Sequence, residues 1–90
     1  MKKIPGKDEA MGAVETLVRY IEKIDGDLRE GLEDTPKRVI EAFEELYNGY
    51  SMDADTLLDA TFNAEGYDGI VLLRDIEFHS TCEHHMLPFT

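Results

Sequence analysis

Apolar residues recur along the first half of the chain at steps of three and four. Met11, Val14, Leu17, Val18, Ile21 and Ile24 form the first such series, and that spacing places them on one face of an α-helix. The pattern predicts a helix opening at Asp8, whose carboxylate is suited to cap free amides, with Glu9 favourably placed at the positive end of the dipole. Gly26 is the expected stop. Gly12 lies inside this helix at a cost of ~1 kcal/mol relative to alanine, so either the first turn frays or something packs closely there.

A second series, Val39, Ile40, Phe43, Leu46, Tyr47 and Tyr50, follows the start signal Asp34-Thr35-Pro36. Thr35 is the expected N-cap and Pro36 the first helical residue, where its missing amide costs nothing. Gly49 is placed to end this helix in a left-handed conformation. Two amphipathic helices with a short connection predict an antiparallel pair. Their stripes read as core or subunit contact surface, and the acidic residues between them as a solvated face.

The pattern changes after Asn63. Residues 51–63 predict a short helical turn near Asp55 to Asp59, and residues 63–69 a loop. Ile70 to Leu73 then begins a strand that continues to Phe78, with alternation in its second half. If the strand runs on unbroken, Ile76 and Phe78 share a face with Cys82. No second strand pattern is available to pair with it, so it is expected to pair with another chain or with residues beyond this sequence. The expected division is a disordered lead over residues 1–7, a helical region over 8–63, and a strand and motif segment over 64–90. The class is α+β.

Ninety residues make at most one small domain, able to bury only ~60–65% of the surface its unfolded chain exposes, so the core is expected to be thin. The net charge of −11 leaves the nine lysines and arginines scattered, with no basic stripe to follow a phosphate backbone, so nucleic acid is a poor partner. The single cysteine excludes an internal disulfide, and beside histidines it reads as a ligand or reactive thiol in a reducing, cytoplasmic compartment. The basic start Met1-Lys2-Lys3 has no apolar run after it, so neither a signal peptide nor a membrane span is expected.

All three histidines and the only cysteine fall within Phe78 to Phe89. Such clustering points to metal ligation. A thiolate and an imidazole separated by two residues, Cys82 and His85, can reach one ion from a strand end or a tight turn, and zinc prefers that donor pair. The pair is incomplete, because a catalytic zinc takes three protein ligands and a structural zinc four.

The run Asp75-Ile76-Glu77-Phe78 followed by Ser80, Cys82-Glu83-His84-His85 and Leu87-Pro88-Phe89 resembles the zinc segment of GTP cyclohydrolase I. Gly31-Leu32, Asp34-Thr35-Pro36 and Arg38-Val39 resemble the same family's helix-start motif, in the correct order upstream. The resemblance implies an enzyme that opens the imidazole ring of GTP with zinc-bound water, releases formate and recloses the product as dihydroneopterin triphosphate, on the route to folate and other pterins. It implies Cys82 and His85 as zinc ligands and His84 as the acid/base histidine beside Zn2+. Neighbouring strand residues point opposite ways, which suits separate roles for His84 and His85.

The resemblance further implies two helices beside an antiparallel sheet, a partial T-fold-like domain, assembled as a homo-oligomeric ring with sites near subunit boundaries. This chain is expected to correspond to roughly the N-terminal half of the family's domain. The family's third zinc ligand is a cysteine far downstream, and no second cysteine stands here. At His79 the family more often has an aromatic or apolar residue, so His79 reads as packing or surface. Glu83 reads either as a group that orients a neighbour or as an exposed strand carboxylate. A triphosphate needs cations or amides around it. Arg38, Arg74 and Lys37 are available, with Arg38 reading as helix surface and no substrate-binding role assigned to any of them. Two functions compete: the N-terminal portion of a GTP cyclohydrolase I, inactive by itself, and a non-catalytic assembly or binding module.

Overall fold

Gly6, in an extended conformation, leads into helix α1 (Lys7–Glu22) of a computed structural model that describes residues 3–90. The first two residues of the predicted lead lie outside the described residues. Asp8 and Glu9 fall inside the first turn, where they face the positive end of the helix dipole. Asp8 is therefore a first-turn residue and not the cap. The helix stops at Lys23, which is left-handed at φ 59° and donates its amide to the Arg19 carbonyl. Gly26, the expected stop, lies three residues further on in the connection, at φ 99°. The connection is tied back to α1 through arginines: Arg19 Nη1 donates to the Gly26 carbonyl at 2.5 Å, and Arg29 Nη1 pairs with Glu22 Oε1 at 2.7 Å.

Gly12 neither frays the helix nor receives a close neighbour. Helix α1 runs through it, its carbonyl accepts from Thr16 Oγ1 at 3.0 Å, and the space beyond its Cα is open.

A short 3-10 turn over Glu30–Leu32 delivers the chain to helix α2 (Thr35–Leu46). Its N-cap is Asp34, one residue before the expected Thr35, and no side chain caps it. Thr35 Oγ1 instead reaches back to the Gly31 carbonyl at 3.5 Å. Pro36 remains within the first two helical positions, where no amide partner is lost. The expected glycine stop is also displaced: α2 ends at Leu46, and a second 3-10 turn (Asn48–Ser51) carries the chain through Gly49 without a left-handed residue.

The two helices pack on each other and are antiparallel. Lys7 at the start of α1 pairs with Glu44 near the end of α2 at 3.2 Å. The contact is made by part of each stripe. Met11, Val14, Val18 and Ile24, with Val39, Ile40, Phe43 and Tyr47, are half-buried, and Phe43 meets Tyr47 edge-on at 5.5 Å. Leu17, Ile21, Leu46 and Tyr50 from the same stripes remain exposed, Leu46 at 70% and Tyr50 at 93%. Among the described residues Pro36 alone is buried, so the core is as thin as chain length implied. A four-residue helix, α3 (Ala54–Leu57), is started by Asp53, whose carboxylate accepts from the Asp55 amide.

The chain divides into two compact units, the first ending at Ala60 and the second covering Thr61–Thr90. In the second unit the expected strand over 70–78 does not form. Ile70 to Leu73, Ile76 and Phe78 are exposed, and Asp75 takes a left-handed φ of 61° that breaks an extended run. The physical reason is the missing partner: a strand's amides and carbonyls gain their bonds from a neighbour, and none is supplied among the described residues. The antiparallel sheet is confined to β1 (Ser80–Thr81) and β2 (Pro88–Phe89), paired Ser80 with Phe89 and Thr81 with Pro88. Helices plus this small antiparallel sheet make the chain α+β.

Candidate functional site

The β1–β2 hairpin holds the cysteine and two of the histidines in its connection. Beyond Thr81 the hairpin closes by two backbone bonds: the Cys82 amide donates to the Leu87 carbonyl at 2.9 Å, and the Met86 amide donates to the Cys82 carbonyl at 2.8 Å. Met86 is left-handed at φ 57°, which turns the chain back toward Pro88. Glu83, His84 and His85 therefore occupy a turn and not a strand. The strand alternation used to separate His84 from His85 does not apply to them. A tight turn was the other geometry from which a Cys and a His separated by two residues were expected to reach one ion.

The sulfur of Cys82 meets His84 twice. Sγ accepts from the His84 backbone amide at 3.4 Å and lies 3.9 Å from His84 Nδ1. The amide contact fixes the direction of the sulfur within the turn. The His84 and His85 rings stand at 69° to each other with centroids 6.4 Å apart. His85, the expected second ligand, thus neighbours the expected acid/base residue. Cys82 is half-buried while His84 and His85 are exposed, so the imidazoles are open to water.

The donor types, thiolate and imidazole, fit zinc. Their number falls short: among the described residues no group of three His, Cys, Asp or Glu side chains is arranged to hold a metal ion. Glu83 sits exposed in the turn. His79 is directed elsewhere, its Nδ1 at 3.2 Å from Thr90 Oγ1 and its Nε2 at 3.5 Å from Glu77 Oε1. Sequence reasoning had placed His79 in packing or on the surface; the surface is where it lies, with specific polar neighbours.

The helix-start motif lines a separate depression of about 460 Å³, formed by Glu30, Gly31, Glu33, Asp34 and Arg38. Three carboxylates against one guanidinium repel a triphosphate, so this depression is not a nucleotide site as it stands. Of the other two cations considered, Lys37 faces Glu41 at 3.9 Å and Arg74 faces Asp75 at 3.7 Å.

No helix among the described residues is long and apolar enough to cross a membrane. The family model for GTP cyclohydrolase I matches residues 11–90. GTP cyclohydrolase 1 of Allorhizobium ampelinum is 52% identical over 85 residues, which are 93% of this chain and 41% of that protein. GTP cyclohydrolase 1 of Brucella suis is 52% identical over 87 residues, 96% of this chain and 40% of the relative. The chain spans about two fifths of the length of these curated relatives. No solved structure matches it.

Proposed function

Because the chain belongs to the GTP cyclohydrolase I family, we propose that it supplies the N-terminal portion of an enzyme that hydrolytically opens the imidazole ring of GTP. The products are formate and 7,8-dihydroneopterin triphosphate, for folate and other pterins. The observation that carries this reading is the β1–β2 hairpin, which gathers Cys82, His84 and His85 into one turn with the sulfur against His84. In this reading Cys82 and His85 are zinc ligands and His84 is the acid/base residue. The third ligand, the guanine contacts and the triphosphate contacts come from residues outside this sequence.

Bound zinc would supply a water whose pKa is lowered to ~7. What the chain itself contributes is narrower. Cys82 offers a sulfur whose direction is fixed by the His84 amide. His84, exposed in the turn, offers a ring nitrogen able to carry a proton between solvent and the purine ring. The exposed apolar residues of α1, α2 and the segment Ile70–Leu73 support completion of the fold by further chain and by other subunits in a homo-oligomer, and the family supports a cytoplasmic location.

The test is a hybrid in which this chain replaces the corresponding segment of the Brucella suis relative. Formate release from GTP and the appearance of the fluorescent pterin product are the readouts. A hybrid that folds and assembles as the parent does, yet releases no formate while the parent does, refutes the enzymatic reading. One observation favours the second reading, a non-catalytic assembly or binding module: no three donors converge among the described residues. On that reading the hybrid assembles and stays inactive.

A further inference from the structure

Beyond the two paired positions of the hairpin, the next opposed pair in the register is His79 with Thr90. We propose that His79 is a positioning residue that pins the open end of this hairpin, and so holds Cys82 and the turn Glu83 to His85 in one geometry. The proposal rests on the reading of that turn as a metal segment; the pinning itself is tested apart from it. His79 Nδ1 lies 3.2 Å from Thr90 Oγ1 and Nε2 lies 3.5 Å from Glu77 Oε1. One tautomer suits both neighbours: Nδ1 accepts from the Thr90 hydroxyl while the proton sits on Nε2, the nitrogen nearer the Glu77 carboxylate.

A ladder of two residues per strand needs such help. An isolated hairpin is marginal in water, and the strand residues here have little packing to hold them: Ser80, Pro88 and Phe89 are exposed and Thr81 is only half-buried. A cross-strand side-chain contact at the open end therefore governs how often the hairpin is closed. Closure sets the Cys82 amide on the Leu87 carbonyl, which fixes the direction of the sulfur. Both ring nitrogens of His79 are engaged away from Cys82, so it acts on the site through the backbone and not as a ligand.

The experiment is amide hydrogen exchange by NMR on the 90-residue chain, read at Cys82 and Met86. The variants are His79→Phe, which keeps a bulky β-former without nitrogens; His79→Asn, which keeps a donor and an acceptor; Thr90→Val; and the double variant His79→Phe/Thr90→Val. His79→Phe and Thr90→Val should each raise exchange at both amides by roughly two- to fivefold, the size of a cross-strand pair. The double variant should be no faster than either single one, and His79→Asn should recover most of the protection. Unchanged exchange, an additive double variant, or no rescue by asparagine overturns the pin, as does a rise that extends to the amides of α2. A cobalt(II) titration of the same proteins, followed by thiolate-to-cobalt absorption, should weaken in the same order. Equal cobalt affinity in His79→Phe and the parent chain overturns the positioning role. Absence of the thiolate band in the parent chain overturns the positioning of a metal segment by this chain alone, while the pin is judged on exchange and the metal reading on the hybrid.

Discussion

Replacing Phe43 by alanine tests whether the helix pair is held by the half of each stripe that is covered. Phe43 is half-buried in the α1–α2 contact and meets Tyr47 edge-on at 5.5 Å and 89°. Full burial of a phenylalanine is worth ~1.5–3 kcal/mol, so partial burial contributes about 1–2 kcal/mol. An edge-on aromatic pair adds roughly 0.5–1.5 kcal/mol. No enclosed cavity is left at so open a position, so no further cavity penalty applies. The expected loss is therefore about 2–3 kcal/mol, a large share of what a thin core supplies. Leu46→Ala is the paired control: the side chain is 70% exposed, and its expected cost is about 0.5 kcal/mol. Urea unfolding of the chain, followed by the helical circular dichroism signal, gives both values. If Leu46→Ala costs as much as Phe43→Ala, or if Phe43→Ala costs under about 0.5 kcal/mol, the division of the stripes into covered and open halves is wrong.

Gly12→Ala should stabilise the chain by roughly 0.5–1 kcal/mol, because the space beyond Gly12 is open and its backbone is helical; a lower urea midpoint would contradict this. Zinc should bind the isolated chain weakly, since the missing ligand leaves positions to water. Competition with a chelating dye measures it, and a one-to-one site that survives dialysis against chelator would mean an overlooked ligand. Amides of residues 70–78 should exchange fast in dilute solution while those of α2 are protected; strong protection there in a demonstrably monomeric sample would refute the unpaired segment. In the Brucella suis hybrid, His85→Ala should lose zinc and formate release together. His84→Ala should keep zinc and lose the ~10²–10⁴-fold factor typical of a positioned acid/base group. The reverse metal contents would exchange the two roles, which the contact of Cys82 Sγ with His84 Nδ1 at 3.9 Å makes the sharper test.

The amino-acid sequence by itself determined the two helices and their antiparallel pairing, because spacings of three and four residues impose a face whatever surrounds it. It also supplied the candidate site as a list of residues, since Cys82, His84 and His85 fall within four consecutive positions and local geometry keeps them together. Helix ends were read less well. Lys23 stops α1 before Gly26, and a 3-10 turn passes through Gly49 without a left-handed residue, because several backbone arrangements can satisfy the last carbonyls of a helix and only one is realised.

Tertiary structure decided what depends on partners distant in sequence. Apolar residues over 70–78, continuous at first and alternating in the second half, carry the signature of a strand, but a strand exists only when another supplies its hydrogen bonds. Here pairing is limited to Ser80–Thr81 with Pro88–Phe89. That short ladder put His84 and His85 in a turn instead of on opposite faces of a strand, and brought His79 opposite Thr90. Neither arrangement is periodic, so no spacing rule along the chain carries it; both follow from which backbone groups find partners.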